Sequence, residues 1–183
     1  PETTLKELKD LAPQIKELHL VYNDKINGWW YQKAKTISEK YEIEITGYSA
    51  KDLRAGVMLY QKLLKQAKSK ETAVWLPLRR IVPSRTMLPL LLEKAWEKKL
   101  SVISNNPSHT QLGSLIALYP DHEKMGRLLA EFSLAHYHDK STSKIIGTST
   151  LRIAINSRTS SHIGLRLSGK DLQQFDKIFP LQR

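Results

Sequence analysis

The hydrophobic pattern switches repeatedly between short apolar runs and a period near 3.6, and this alternation confines the chain to folds built from βαβ units. "ELHLVYN" (17–23), "IEITGY" (43–48), "AVWLPL" (73–78) and "LSVISN" (100–105) read as buried strands. Helical patterns separate them. Residues 28–42 place Trp30, Ala34, Ile37 and Tyr41 on one face. A second helix begins at Ser49 or Asp52 and runs to about Lys68, with Leu53, Val57, Tyr60 and Leu64 on one side. A third spans 84–99, and a short helix capped by Thr3 or Thr4 opens the chain and ends near Leu11, before Pro13. Strands that alternate with helices pair in parallel, and right-handed crossovers put helices on both faces. The expected fold class is therefore α/β, a Rossmann-like parallel sheet flanked by helices.

The last third changes character. "SLIALYP" (114–120) reads as another strand, and Asp121 caps a helix that runs to about His138. "DKSTSK" (139–144) is a polar loop. "LRIAIN" (151–156) is a last strand, followed by two short helical pieces before Pro180. No internal repeat and no low-complexity linker interrupts the 183 residues. No apolar stretch approaches the roughly 18 residues of a spanning helix.

Several chemistries lack their residues. Without cysteine there is no disulfide and no thiolate metal site. The first strand–helix junction, "YNDKINGWW", carries only Gly28, so it cannot form the glycine-rich dinucleotide cradle, and no Walker A sequence occurs. His136 and His138 are two apart and do not share a helix face, while His109 and His122 lie at separate turns; no metal site is expected. No G-x-S-x-G stretch is present. We therefore expect a binding module and no enzyme, with no catalytic residues, no metal and no cofactor. The formal net charge of +11 is carried by lysines spread over several amphipathic segments, without a basic arm or zinc-finger spacing. That distribution fits a solvated basic surface and no nucleic-acid partner. A basic nucleic-acid-associated domain is the competing reading, and it requires strongly salt-dependent binding.

In open parallel sheets, ligands bind beyond the carboxyl ends of the strands. Three segments qualify. The first holds Asn23, Asp24, Asn27, Gly28 and Trp29; the second is "PLRRIVPSRT", with Arg79, Arg80, Ser84 and Arg85; the third is "SNNPSHTQ", with Ser104, Asn105, Asn106 and His109. Amides and hydroxyls give directional hydrogen bonds, and arginine clamps a carboxylate or phosphate. Trp29 or Trp30 offers a stacking face. The candidate ligand-binding set is Asn23, Asn27, Trp29, Arg79, Arg80, Ser84, Asn105 and Asn106. Each amide and hydroxyl has an alternative role as a turn former or helix cap.

The order of "LKELKDLAPQIKELHLVYND", "SVISNNPSHTQLGSLIALYPDHEKMGRLLAEFSLAHY" and "LRIAINSRTSSHIGLRL" resembles the substrate-binding proteins of ABC transporters, a family that includes tryptophan- and tyrosine-type binders. Gly113, Asp121, Gly126, Asn156, Thr159, Gly164 and Leu165 occupy the places of its motifs. The resemblance implies a type 1 periplasmic-binding fold: two Rossmann-like lobes joined by hinge strands, with ligand between them. It places residues 1–106 in the C-terminal lobe. Residues 107–138 are expected to cross toward an N-terminal lobe that precedes Pro1, and 139–183 to return. Asn105 and Asn106 would lie near a hinge. The implied function is binding a small molecule for an ABC permease, or ligand sensing for a signalling partner. The implied location is periplasmic or exported, with or without a membrane anchor; no signal peptide lies within this segment. Leu78, Arg79 and Arg80 stand where amino-acid-binding members carry an acidic or amide-rich loop, which suits an anionic ligand. A lone lobe is expected to bind ligand poorly, and its crossing segment, with one apolar face, to be available for exchange with a second chain in a homodimer.

Overall fold

The computed structural model describes residues 1–67, 70–77, 84–137 and 150–181, apart from the side chains of 84–86. Arg79 and Arg80 lie outside the described residues, as does the side chain of Ser84.

The sheet has seven strands: β1 (Glu17–Tyr22), β2 (Glu44–Ser49), β3 (Thr72–Leu76), β4 (Ser101–Ser104), β5 (Ile116–Pro120), β6 (Leu151–Asn156) and β7 (Lys177–Phe179). Their spatial order is β2-β1-β3-β4-β5-β6-β7. Strands β1 to β5 are parallel, with registers such as Leu20↔Trp75 and Trp75↔Ile103. β6 runs antiparallel to β5, and β7 is parallel to β6. The architecture is thus the expected α/β sheet, mostly parallel and not wholly so.

Helices α1 (Glu2–Leu11), α2 (Asp24–Ser38), α3 (Leu53–Gln66), α4 (Ser84–Lys98), α5 (Pro107–Leu112), α6 (His122–Ala135), α7 (Ser157–His162) and α8 (Gly169–Leu172) complete the chain, with a 3-10 turn at Glu39–Tyr41. Side chains alternate across β3. Ala73 and Trp75 join the core under α1 and α2, with Leu5, Leu8, Tyr31 and Ala34. Val74 and Leu76 join the opposite core under α3 and α4, with Tyr60, Leu63, Leu91 and Ala95. A strand buried on both faces must be apolar throughout, which is why β3 reads as a continuous run.

Residues 107–120, part of the stretch expected to cross away, form α5 and β5 here, and β5 pairs with β4. α6 differs from the other long helices: none of its residues is buried. Among the described residues no helix is long and apolar enough to cross a membrane.

Candidate functional site

The carboxyl ends of the five parallel strands lie along one edge of the sheet. Asn23 follows β1 in extended conformation and caps α2, its Oδ1 accepting from the amides of Lys25 and Ile26 at 3.1 and 3.2 Å. Its Nδ2 donates to the Ala50 carbonyl at 2.9 Å and so ties the end of β1 to the end of β2. Asn27 is buried, and its Oδ1 accepts from the Asn23 amide at 2.8 Å. Its backbone (φ −137°, ψ 20°) breaks the helical run, so regular helix resumes at Gly28, where the sequence pattern places the helix start.

Two adjacent tryptophans divide the work of this loop. Trp29 is 70% exposed, and Ile26 in the same loop is exposed as well. Trp30 packs edge-on against Trp75, with ring centres 4.5 Å apart and planes at 68°. Trp75 is fully buried, and its Nε1 donates to Asn105 Oδ1 at 3.3 Å. Asn105 Nδ2 donates onward to the Leu118 carbonyl at 3.2 Å. The chain Trp30–Trp75–Asn105–Leu118 therefore joins α2, β3, the end of β4 and β5 into one connected layer behind the edge.

Asn106 caps α5, its Oδ1 accepting from the Ser108 amide at 3.0 Å. Ser104 Oγ accepts from the Asn106 amide at 3.1 Å and lies 2.6 Å from His109 Nδ1. A hydroxyl beside an imidazole is the geometry of a nucleophile and its base. Here both are buried, at 1% and 3% exposure, so the pair holds the β4–α5 turn and does not face a substrate. Among the described residues no three His, Asp or Glu side chains are placed to hold a metal ion.

At the end of β5, buried Asp121 caps α6 by accepting from the Lys124 amide at 3.1 Å and pairs with Arg152 Nε at 3.0 Å. The Lys124 amide, and then the Arg152 guanidinium, hold its carboxyl below the ordinary value against the opposing effect of burial. Arg152 comes from the start of β6, so this pair fixes the antiparallel strand to the parallel set.

The structure brings Asn23, Asn27 and Trp29 together at the end of β1, and Asn105 and Asn106 at the end of β4, on one edge. The amides of Asn23, Asn27, Asn105 and Asn106 make internal bonds, whereas the Trp29 ring stands out from the wall. Trp75 and the Asp121–Arg152 pair were not among the sequence candidates. Trp75 sits inside the continuous apolar run of β3, a signal that marks it as buried but does not say that it faces α2.

No family model matches the chain, and no curated protein matches it. Solved structures do. A conserved domain protein from Vibrio cholerae superposes with a TM-score of 0.72 at 15% identity, over 97% of this chain and 59% of that one. An ABC domain from Streptococcus pneumoniae, solved in complex with L-Trp, gives 0.70 at 13% identity, over 96% and 60%. A substrate-binding protein with adhesive properties from Clostridium difficile, in a ligand-free open form, gives 0.69 at 17% identity, over 94% and 57%. This chain spans less than two thirds of the length of each. At these identities the likeness is one of fold: the chain has the mostly parallel, helix-flanked sheet of a Rossmann-like periplasmic-binding lobe, an architecture it shares with substrate-binding proteins.

Proposed function

We propose that this chain is one lobe of the solute-binding component of an ABC-type transport system, and that it takes a small molecule at the carboxyl edge of β1 to β5. The observation that carries the reading is the edge itself. Cap and cross-strand bonds from Asn23 and Asn105 fix the loops after β1 and β4, and the exposed ring of Trp29 rises from the first. A wall pinned in this way spends little ordering entropy when a ligand arrives. The fold likeness to an L-Trp-bound domain and to a substrate-binding protein supports the same assignment. Arg79 and Arg80 follow β3 in sequence, and their chemistry favours an anionic ligand.

The second wall comes from another lobe. Met125, Leu128, Leu129 and Phe132 form an i, i+3, i+4, i+7 stripe along α6, and none of them is buried. We assign this stripe to contact with that lobe, as the part of the 107–138 crossing segment that faces it. Ligand that touches both walls biases a hinge toward closure, which is how such a module reports occupancy to a permease. The working location is periplasmic or otherwise exported.

The test is mass spectrometry of small molecules released by denaturing the protein purified from the cells that make it. A stoichiometric small molecule, absent from a denatured and refolded control, is the expected result. Release of nucleic acid in its place would overturn the proposal.

A further inference from the structure

A second cavity lies at the opposite edge of the sheet, away from the carboxyl ends of β1 to β5. Its volume is about 470 Å³, and its walls come from α4, the end of α5 and the start of α7. That volume falls within the range of small-molecule sites, roughly 300–1,000 Å³. The floor is apolar, formed chiefly by Leu92, Trp96 and Leu112.

Its frame is rigid. Asn156 Nδ2 donates to the Thr110 carbonyl at 2.8 Å, and its Oδ1 accepts from the Thr159 amide at 2.9 Å. Thr159 Oγ1 donates to the Gly113 carbonyl at 3.0 Å. These bonds lock the end of α5 to the start of α7. The Trp96 ring is fixed by His162, whose imidazole stacks on it at 3.6 Å and 2° and donates through Nε2 to the Trp96 carbonyl at 2.9 Å.

Among the described residues that line the cavity, the one cation is Arg158. The Arg158 guanidinium lies 5.5 Å from the centre of the Trp96 ring and makes no ion pair among the described residues. Glu93 also lines the cavity without pairing to Arg158. A carboxylate can take the guanidinium in two parallel bonds while an apolar body covers Trp96 and Leu112. A second acidic group on the same ligand would meet Glu93.

We propose that this cavity binds an amphipathic monocarboxylate, with its carboxylate on Arg158 and a planar or aliphatic body against Trp96 and Leu112. The site is separate from the carboxyl-edge wall, and its occupancy does not depend on a second lobe. It gives the protein a ligand-responsive surface on the face turned away from the transported solute.

Two-dimensional amide NMR of the 15N-labelled chain titrated with indole-3-acetate tests it. Saturable shifts are expected at Gly113, Thr159 and the Trp96 indole, with Asn23 and Asn105 unmoved. Arg158→Gln changes an exposed residue and should weaken binding about tenfold or more. Leu112→Glu, also at an exposed position, should do the same if the apolar floor contributes. Tryptamine, the amine counterpart, should bind at least about tenfold more weakly than indole-3-acetate. No saturable shift up to about 10 mM, equal affinity in folded Arg158→Gln, or tighter binding of tryptamine would each overturn the proposal. Shifts confined to the carboxyl edge would also overturn it, while leaving the proposed function standing.

Discussion

Replacing Asn105 with alanine separates a structural tie from a side chain kept free for ligand. Trp75 is fully buried, so once Asn105 Oδ1 is gone its Nε1–H has neither a protein partner nor water. A buried donor left unpaired costs about 1–3 kcal/mol. The Leu118 carbonyl also loses the Asn105 Nδ2 donor, at 3.2 Å. A carbonyl has a second lone pair, so this loss lies at the low end of the same range, about 1 kcal/mol. Together the expected loss is about 2–4 kcal/mol, a large part of the stability of an ordinary domain. In urea, with a slope of roughly 2 kcal/mol/M, the midpoint should fall by about 1–2 M. Circular dichroism follows the unfolding in both backgrounds. The same substitution in a Trp75→Phe background should cost at least about 1 kcal/mol less, because the orphaned donor is gone. A loss below about 0.5 kcal/mol in the wild-type background, or equal losses in the two backgrounds, would refute the tie.

Three further outcomes follow from the same contacts. Gly47→Ala puts a methyl 2.6 Å from Tyr31 Cζ and 2.9 Å from Tyr22 Cε1, within a stacked tyrosine pair, and should cost about 1–3 kcal/mol in urea unfolding. Because the Asp121 carboxyl is held below its ordinary value, its stabilising effect is complete above the unfolded value near pH 3.9 and is lost as pH falls through the lower folded value. Asp121→Asn should therefore be less stable than wild type at pH 6, with the gap closing below about pH 4 when melting is followed across pH. Leu129→Glu changes a half-exposed member of the α6 stripe, so it should leave the melting temperature within a few degrees while reducing self-association of the 183-residue chain in sedimentation velocity. A segment-exchanged homodimer would appear there as a dimer that the substitution weakens.

Much of the fold is written in local pattern. β6 spans the same residues, 151–156, in sequence reading and structure, because an apolar alternation there is bounded by turn residues. Asp52 and Asp121 cap the helices that follow them, as their chemistry dictates. α5 escaped the reading because it has only six residues, too few to show a period, although Asn106 before Pro107 is a helix-start signal. β7 has three residues, and no alternation can be seen over that length. The antiparallel course of β6 was not legible, because apolar alternation along a strand carries no direction relative to its neighbours.

The candidate site was legible in place and less so in role. Strand ends located Asn23, Asn27, Asn105 and Asn106 at one edge, but an asparagine that caps a helix and one that holds a ligand look alike in sequence. The choice between them rests on partners far along the chain: Asn23 on Ala50, and Trp75 on Asn105. Such pairings arise only when β1, β2, β3 and β4 are assembled. Trp29 and Trp30 are adjacent and chemically identical, and the break at Asn27 helps to set which ring faces the core and which faces solvent.

The central claim is that the carboxyl edge of β1 to β5 is a ligand wall. Hydrogen exchange on the protein purified from its own cells, before and after its small molecules are stripped by denaturation and refolding, tests it most directly. The account predicts faster exchange after stripping at residues 23–29, 50–53 and 105–107. Identical exchange at the carboxyl edge in the two preparations, with a small molecule shown to have been removed, would contradict it.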